Sequence, residues 1–176
     1  MVGFVFSGLF AYHSFSPFLL IGELGIRPDH FGILAVFMAL SIAVGNFLAG
    51  RLAKRFSARV LVATGVLVSM VGGFLMTLLS GDLTIIRVVV PVMIFVLGFG
   101  LVSPSATSMA LHPFPHVAGS ASAMFGFVRV GFAGLLSIAT GPLYDGTATP
   151  LGWIMLGCAG VGLLIYVSLV KNVNTT

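Results

Sequence analysis

An all-α integral membrane fold, six transmembrane helices arranged as a 3+3 inverted repeat, is what this sequence predicts. Three observations carry the prediction. Charged residues make up only 7% of the 176 residues, with eight basic and four acidic side chains; a soluble domain carries about 25%. Those few charges divide the chain into six apolar runs, each near the length of about 20 residues that crosses a hydrocarbon core. Ser-Pro pairs recur at matching places in the two halves of the chain. So little charge cannot cover a water-soluble globule. The same composition excludes a disordered chain, a nucleic-acid-binding domain and a secreted disulfide scaffold. The net charge of +4 comes from loop residues rather than from a basic patch. The one cysteine, Cys158, lies inside an apolar run and permits no intrachain disulfide.

The runs fall at about 3–22, 31–50, 59–80, 85–111, 118–140 and 151–170. Backbone polar groups must be satisfied within the segment in lipid, so runs of this length are helices. They lack the polar alternation of a β-barrel strand. The connections are too short for a soluble domain, so residues 1–176 read as a single six-helix transmembrane domain.

The first run is expected to be a true first helix. It has no basic leading region, and Tyr12, His13, Ser14 and Ser16 interrupt its apolar stretch, unlike a cleaved signal peptide. Near its end stands S-F-S-P-F, with Pro17. The second run carries small residues at four-residue spacing, Ala35, Ala39 and Ala43 on one face and Ser41, Gly45 and Ala49 on the next. The fifth repeats the pattern with Ala133, Ser137 and Gly141. Such stripes let helix backbones approach closely. Asn46 is expected to pair with a neighbouring helix.

The fourth run carries V-S-P-S, with Pro104. Proline removes a helix hydrogen bond and frees a carbonyl, which nearby serine hydroxyls can take. Pro17 and Pro104 are 87 residues apart, about half the chain. Helices one and four run in opposite directions, so the two breaks lie toward opposite membrane faces. Interrupted helices at matching repeat positions point to a transporter's binding site.

Lysine and arginine in short loops set the orientation. Arg51, Lys54, Arg55 and Arg59 follow the second helix, and Lys171 follows the sixth. The opposite side carries Arg27 and Arg87 beside Glu23, Asp29 and Asp82. Both termini are therefore expected in the cytoplasm.

Arg129 is the most informative residue. It sits at the centre of the fifth run, in M-F-G-F-V-R-V-G-F-A-G. An arginine at that depth costs about 2.5–3.5 kcal/mol on insertion scales and marks a bundle interior or a wet pathway. Ser122, Phe125, Arg129 and Phe132 share one helical face. An arginine between two aromatic rings suits an anionic or aromatic ligand, or a carboxylate on a partner helix; a structural pairing with carbonyls is the alternative. With Tyr12, Ser14 and Phe18 of helix one and Phe99 and Ser103 of helix four, these residues form a candidate apolar, aromatic site for a lipophilic small molecule.

Other chemistry finds little support. His13 is the one histidine inside a run, and a hydrogen-bonded structural role suits it. His112 and His116 flank H-P-F-P-H, whose prolines forbid the helical i, i+4 metal geometry. No metal and no cofactor is expected. An intramembrane serine protease would need G-x-S-x-G, and none occurs. No carboxylate lies within a run, so this chain supplies no intramembrane acid for proton exchange.

Taken together, S-F-S-P-F-L-L, G-R-L-A-K-R-F-S-A-R, G-L-V-S-P-S-A-T-S-M-A and especially H-P-F-P-H-V-A-G-S-A-S-A-M-F-G-F make nearly the whole chain resemble one family. The resemblance is to the C-terminal six helices of a major facilitator superfamily transporter, in the Bcr/CflA branch of bacterial proton-coupled multidrug exporters. Gly50, Leu52, Arg55 and Arg59 match that family's cytoplasmic loop signature, while Lys54 stands where its aspartate belongs and Ser57 replaces its second glycine. The resemblance implies that this loop helps to gate the cytoplasmic side. It implies a bacterial inner-membrane location and a substrate path between two six-helix halves. The partners it implies are a lipophilic substrate, the bilayer, and a missing N-terminal half or a second copy, with no nucleic acid. The proton-coupling acids would then belong to the absent half.

Overall fold

The computed structural model describes residues 2–81, 84–143 and 146–173. Asp82 lies outside the described residues, as do the side chains of Asp29 and Lys171. Six helices follow in order: α1 (Val2–Ser16), α2 (Pro28–Leu52), α3 (Ala58–Leu78), α4 (Ile85–Leu111), α5 (Ala118–Thr140) and α6 (Thr149–Val173). A π-helical segment, Pro17–Glu23, extends α1, and single 3-10 turns precede and follow α5. Each helix, with α1 taken through Glu23, is long and apolar enough to cross a membrane.

The ends follow from local chemistry. Pro28 opens α2 at the position where a missing N–H costs nothing, after an extended Arg27. Ser57 and Thr84 take extended conformations immediately before α3 and α4. Pro113 and Pro115 stop α4 and permit only a 3-10 turn before α5. Gly25 adopts a positive φ of 62°, which turns the chain from the π-helical segment toward α2.

The packing shows the repeat. α4 packs on α2 and α3, α1 packs on α5 and α6, α3 meets α6, and α1 meets α4. Exchanging α1 with α4, α2 with α5 and α3 with α6 returns the same set of pairs. Short connections make successive helices antiparallel, so the two triplets have opposite orientation. The core lies between α1, α3, α4 and α6, with Val5, Val66, Phe95 and Met155 fully buried.

Close approach between backbones holds these pairs together, because lipid offers no hydrophobic drive for helix association. A Cβ added to Gly45 of α2 would lie 2.5 Å from the Leu97 carbonyl oxygen and 2.9 Å from Gly100 Cα of α4. Ser69 of α3 donates a buried hydrogen bond to the Phe95 carbonyl of α4 at 3.1 Å. The expected stripe Ser41, Gly45 and Ala49 is buried, whereas Ala35, Ala39 and Ala43 are exposed. On α5, Ala133 is buried, Ser137 half-buried and Gly141 exposed.

The two proline breaks require correction. α4 runs unbroken through Pro104 and also through Pro91. Pro17 does not break its helix but changes it, since the chain continues in a wider π-helical turn. Pro17 lacks the N–H that would pair with the His13 carbonyl. The Ser16 hydroxyl donates to that carbonyl at 3.2 Å instead. Further along, the Leu24 N–H reaches the Leu19 carbonyl at 3.1 Å, five residues back.

Candidate functional site

The first residues of α1, the last turns of α4 and the middle of α5 leave a cavity of about 490 Å³ between them. This is within the range of small-molecule sites. Gly3 and Phe4 line it from α1, Ala106, Met109 and Ala110 from α4, and Phe125, Arg129 and Phe132 from α5. α1 and α4 contribute the ends that lie on the side of the α2–α3 loop, and α5 contributes its middle turns. That loop carries the exposed Arg51, Lys54, Arg55 and Arg59, so the cavity lies toward the basic face of the bundle.

One side chain supplies its charge. The Arg129 guanidinium carbon stands 4.5 Å from the ring centroid of Phe6 on α1. Phe6 in turn packs 5.5 Å from the ring of Phe99 on α4. Phe4 meets Phe132 edge-on at 4.7 Å. A partly desolvated cation over a ring is stabilised by about 1 kcal/mol, which offsets part of the cost of placing arginine at this depth. Arg129 Nε is buried and has no hydrogen-bond partner among the described residues. The site is therefore an aromatic pocket with one guanidinium whose hydrogen-bonding capacity is not filled.

The structure divides the residues singled out from sequence. Phe125, Arg129 and Phe132 line this cavity, and Phe99 reaches Arg129 through Phe6. Ser103 is half-buried on α4, where its carbonyl accepts the Thr107 hydroxyl at 2.7 Å. Tyr12 is packed into the core, only 4% exposed. Ser14 shares a hydrogen bond with Ser137 of α5. With the exposed Phe18, Ser14 lines a separate crevice of about 360 Å³ near the opposite end of α1. Tyr12, Ser14 and Phe18 are thus not brought to the Arg129 cavity. The ring beneath the guanidinium is that of Phe6, on another helix. Phe4 and Phe6 escaped the sequence reading; their one signal is that Phe6 and Phe10 share a helical face, and their rings stand 5.2 Å apart.

Of the loop-signature residues, Gly50 and Leu52 belong to the last turn of α2, Arg55 to the turn that follows and Arg59 to the first turn of α3. Gly50 is exposed and Leu52 half-buried at the end of α2. The Arg59 carbonyl, at the start of α3, accepts the Tyr166 hydroxyl of α6 at 3.0 Å. Among the described residues, no group of three His, Cys, Asp or Glu side chains is placed to hold a metal ion.

Comparison with known proteins bears on the same reading. Residues 1–138 match the family described as Major Facilitator Superfamily. The chain belongs to this superfamily. Its six helices form half of a major facilitator fold, in two inverted triplets. The relatives are bacterial. An uncharacterised MFS-type transporter, YdgK of Bacillus subtilis, is 32% identical over 97% of this chain and 42% of its own length. Multidrug resistance protein D of Escherichia coli is 31% identical over 90% of the chain and 40% of its own length. A bicyclomycin resistance protein homolog of Haemophilus influenzae is 25% identical over 93% of the chain and 41% of its own length. The chain thus spans about two-fifths of the length of the curated relatives it matches.

A major facilitator half leaves surface that its own helices do not cover. α2 and α5 are the least buried of the six. On α2, Gly32, Ala35, Ala39, Ala43, Asn46 and Gly50 are all exposed, forming a narrow face of small and polar side chains that a further helix can approach closely.

Proposed function

We propose that this chain is the C-terminal six-helix half of a proton-coupled exporter of drugs and other lipophilic foreign compounds. It sits in the bacterial inner membrane with both termini in the cytoplasm. The observation that carries the reading is the aromatic cavity bounded by α1, α4 and α5, with a single cation on its wall. The names of two relatives, multidrug resistance protein D and bicyclomycin resistance protein homolog, point the same way. In this reading Phe4, Phe125 and Phe132 provide apolar contact for a substrate, and Arg129 fixes its orientation. The α2–α3 loop, with Gly50, Leu52, Arg55 and Arg59, gates the cytoplasmic face. Alternating access needs two bundles that rock about a shared site, and the complementary half supplies the second bundle along with the acids of proton exchange.

Drug accumulation tests this in cells expressing the chain alone, a complementary six-helix segment alone, or both. Export that requires both supports the reading. Absence of export with both present and membrane-inserted would overturn it. The exposed small-residue face of α2 also favours a second reading, a self-paired or non-transporting membrane subunit. Export by the chain alone would select self-pairing.

A further inference from the structure

Building on that reading of the cavity, we propose that the Arg129 site takes a lipophilic organic anion. The anionic group pairs with the guanidinium, and the apolar body lies against Phe4, Phe125 and Phe132.

Depth is the first argument. Arg129 is midway along α5 (Ala118–Thr140), about 16 Å from either end at 1.5 Å per residue. A charge carried on a backbone position this far from either helix end is costly without a counter-charge. Charge supply is the second. The four acidic residues of the sequence, at positions 23, 29, 82 and 145, all fall in or beside the α1–α2, α3–α4 and α5–α6 connections. Among the described residues the acidic side chain is that of Glu23, at the end of the bundle opposite the cavity, so no described carboxylate stands by the guanidinium. The third argument is the unfilled donor. Arg129 Nε is buried and unpartnered among the described residues, and such a donor carries a full desolvation penalty until an acceptor arrives. Phe6 covers the cation but accepts no in-plane hydrogen bond. An anion fills what the ring cannot. A ligand cation of the same size meets an uncompensated like charge in a low-dielectric wall.

Tetraphenylborate and tetraphenylphosphonium test this, because they match in size and shape and differ in sign. Their binding to the 176-residue chain in phosphatidylcholine nanodiscs is measured by equilibrium dialysis, with empty nanodiscs subtracted. The expected result is one saturable site that prefers the borate at least about tenfold, the scale of buried charge-pair coupling. Arg129→Lys keeps the preference. Arg129→Met loses it, with helix content and thermal midpoint showing that the bundle remains folded. Equal binding of both ions, or an unchanged preference in a folded Arg129→Met variant, overturns the anion inference while leaving a lipophilic site in place. Saturable binding of neither ion overturns both the inference and the reading of this cavity as a substrate site.

Discussion

The Arg129 guanidinium of α5 lies over the Phe6 ring of α1, 4.5 Å from its centroid. Phe6 itself leans on Phe99 of α4. One cation thereby links the three helices that bound the cavity, and it joins the two inverted triplets at that point.

Phe6→Leu therefore removes more than a hydrophobic contact. In SDS-induced unfolding of the chain in mixed micelles, the substitution is expected to cost about 1 kcal/mol from the lost cation–ring interaction, in addition to any packing change. In an Arg129→Met background that portion disappears. A double-mutant cycle measures it directly, and a coupling of zero would mean that the ring does not stabilise the cation.

The α2–α4 crossing tolerates no side chain at Gly45. A Cβ there would meet the Leu97 carbonyl at 2.5 Å, which is backbone and cannot move aside. Gly45→Val is expected to destabilise the bundle by about 2 kcal/mol or more through overpacking. Gly32→Ala, on the same helix where nothing lies within 4 Å of an added Cβ, is expected to leave the unfolding midpoint the same or raise it.

Substitutions on the exposed face of α2 separate folding from pairing. Ala39→Leu adds bulk where the chain itself presents nothing to clash with. The unfolding midpoint of the isolated chain is expected to stay constant. Co-purification with a complementary six-helix segment, or with a tagged second copy, is expected to fall several-fold. Undiminished co-purification with both would show that this face is not where another bundle packs.

At the end of α1, serine stands in for the N–H that proline lacks. Ser16→Ala leaves the His13 carbonyl without this donor and is expected to cost about 0.6 kcal/mol, the average for side-chain hydrogen bonds within membranes. In Pro17→Ala the backbone N–H returns, so a further Ser16→Ala change costs much less. Equal costs in the two backgrounds would mean that the hydroxyl does not compensate for proline.

Much of this architecture was legible in the sequence. Charges near the helix ends or between helices, Arg129 apart, and the apolar runs that separate them set the number of spans. The depth of Arg129 marked the wall of the cavity. The rotation of α1 was not legible, because that helix is apolar on every side and offers no amphipathic direction. At 3.6 residues per turn, Tyr12 is turned about 240° from Phe6, away from Arg129. Ser14 is turned about 80° from Phe6 and lies about 12 Å further along the axis, and Phe18 about 18 Å further. Both therefore end in the crevice by Gly141 and Pro142. Pro104 misled for a related reason. Proline reads as a break in water, but surrounding helices in a membrane bundle tolerate it inside a continuous one.

A fixed positive charge inside an insulating slab also has an electrical consequence. Carrying one elementary charge across the full thickness is worth about 2.3 kcal/mol per 100 mV, so an ion exchanged at the level of Arg129 crosses part of that drop. Occupancy beside this guanidinium by any charged species must therefore depend on voltage as well as concentration, even if no helix moves.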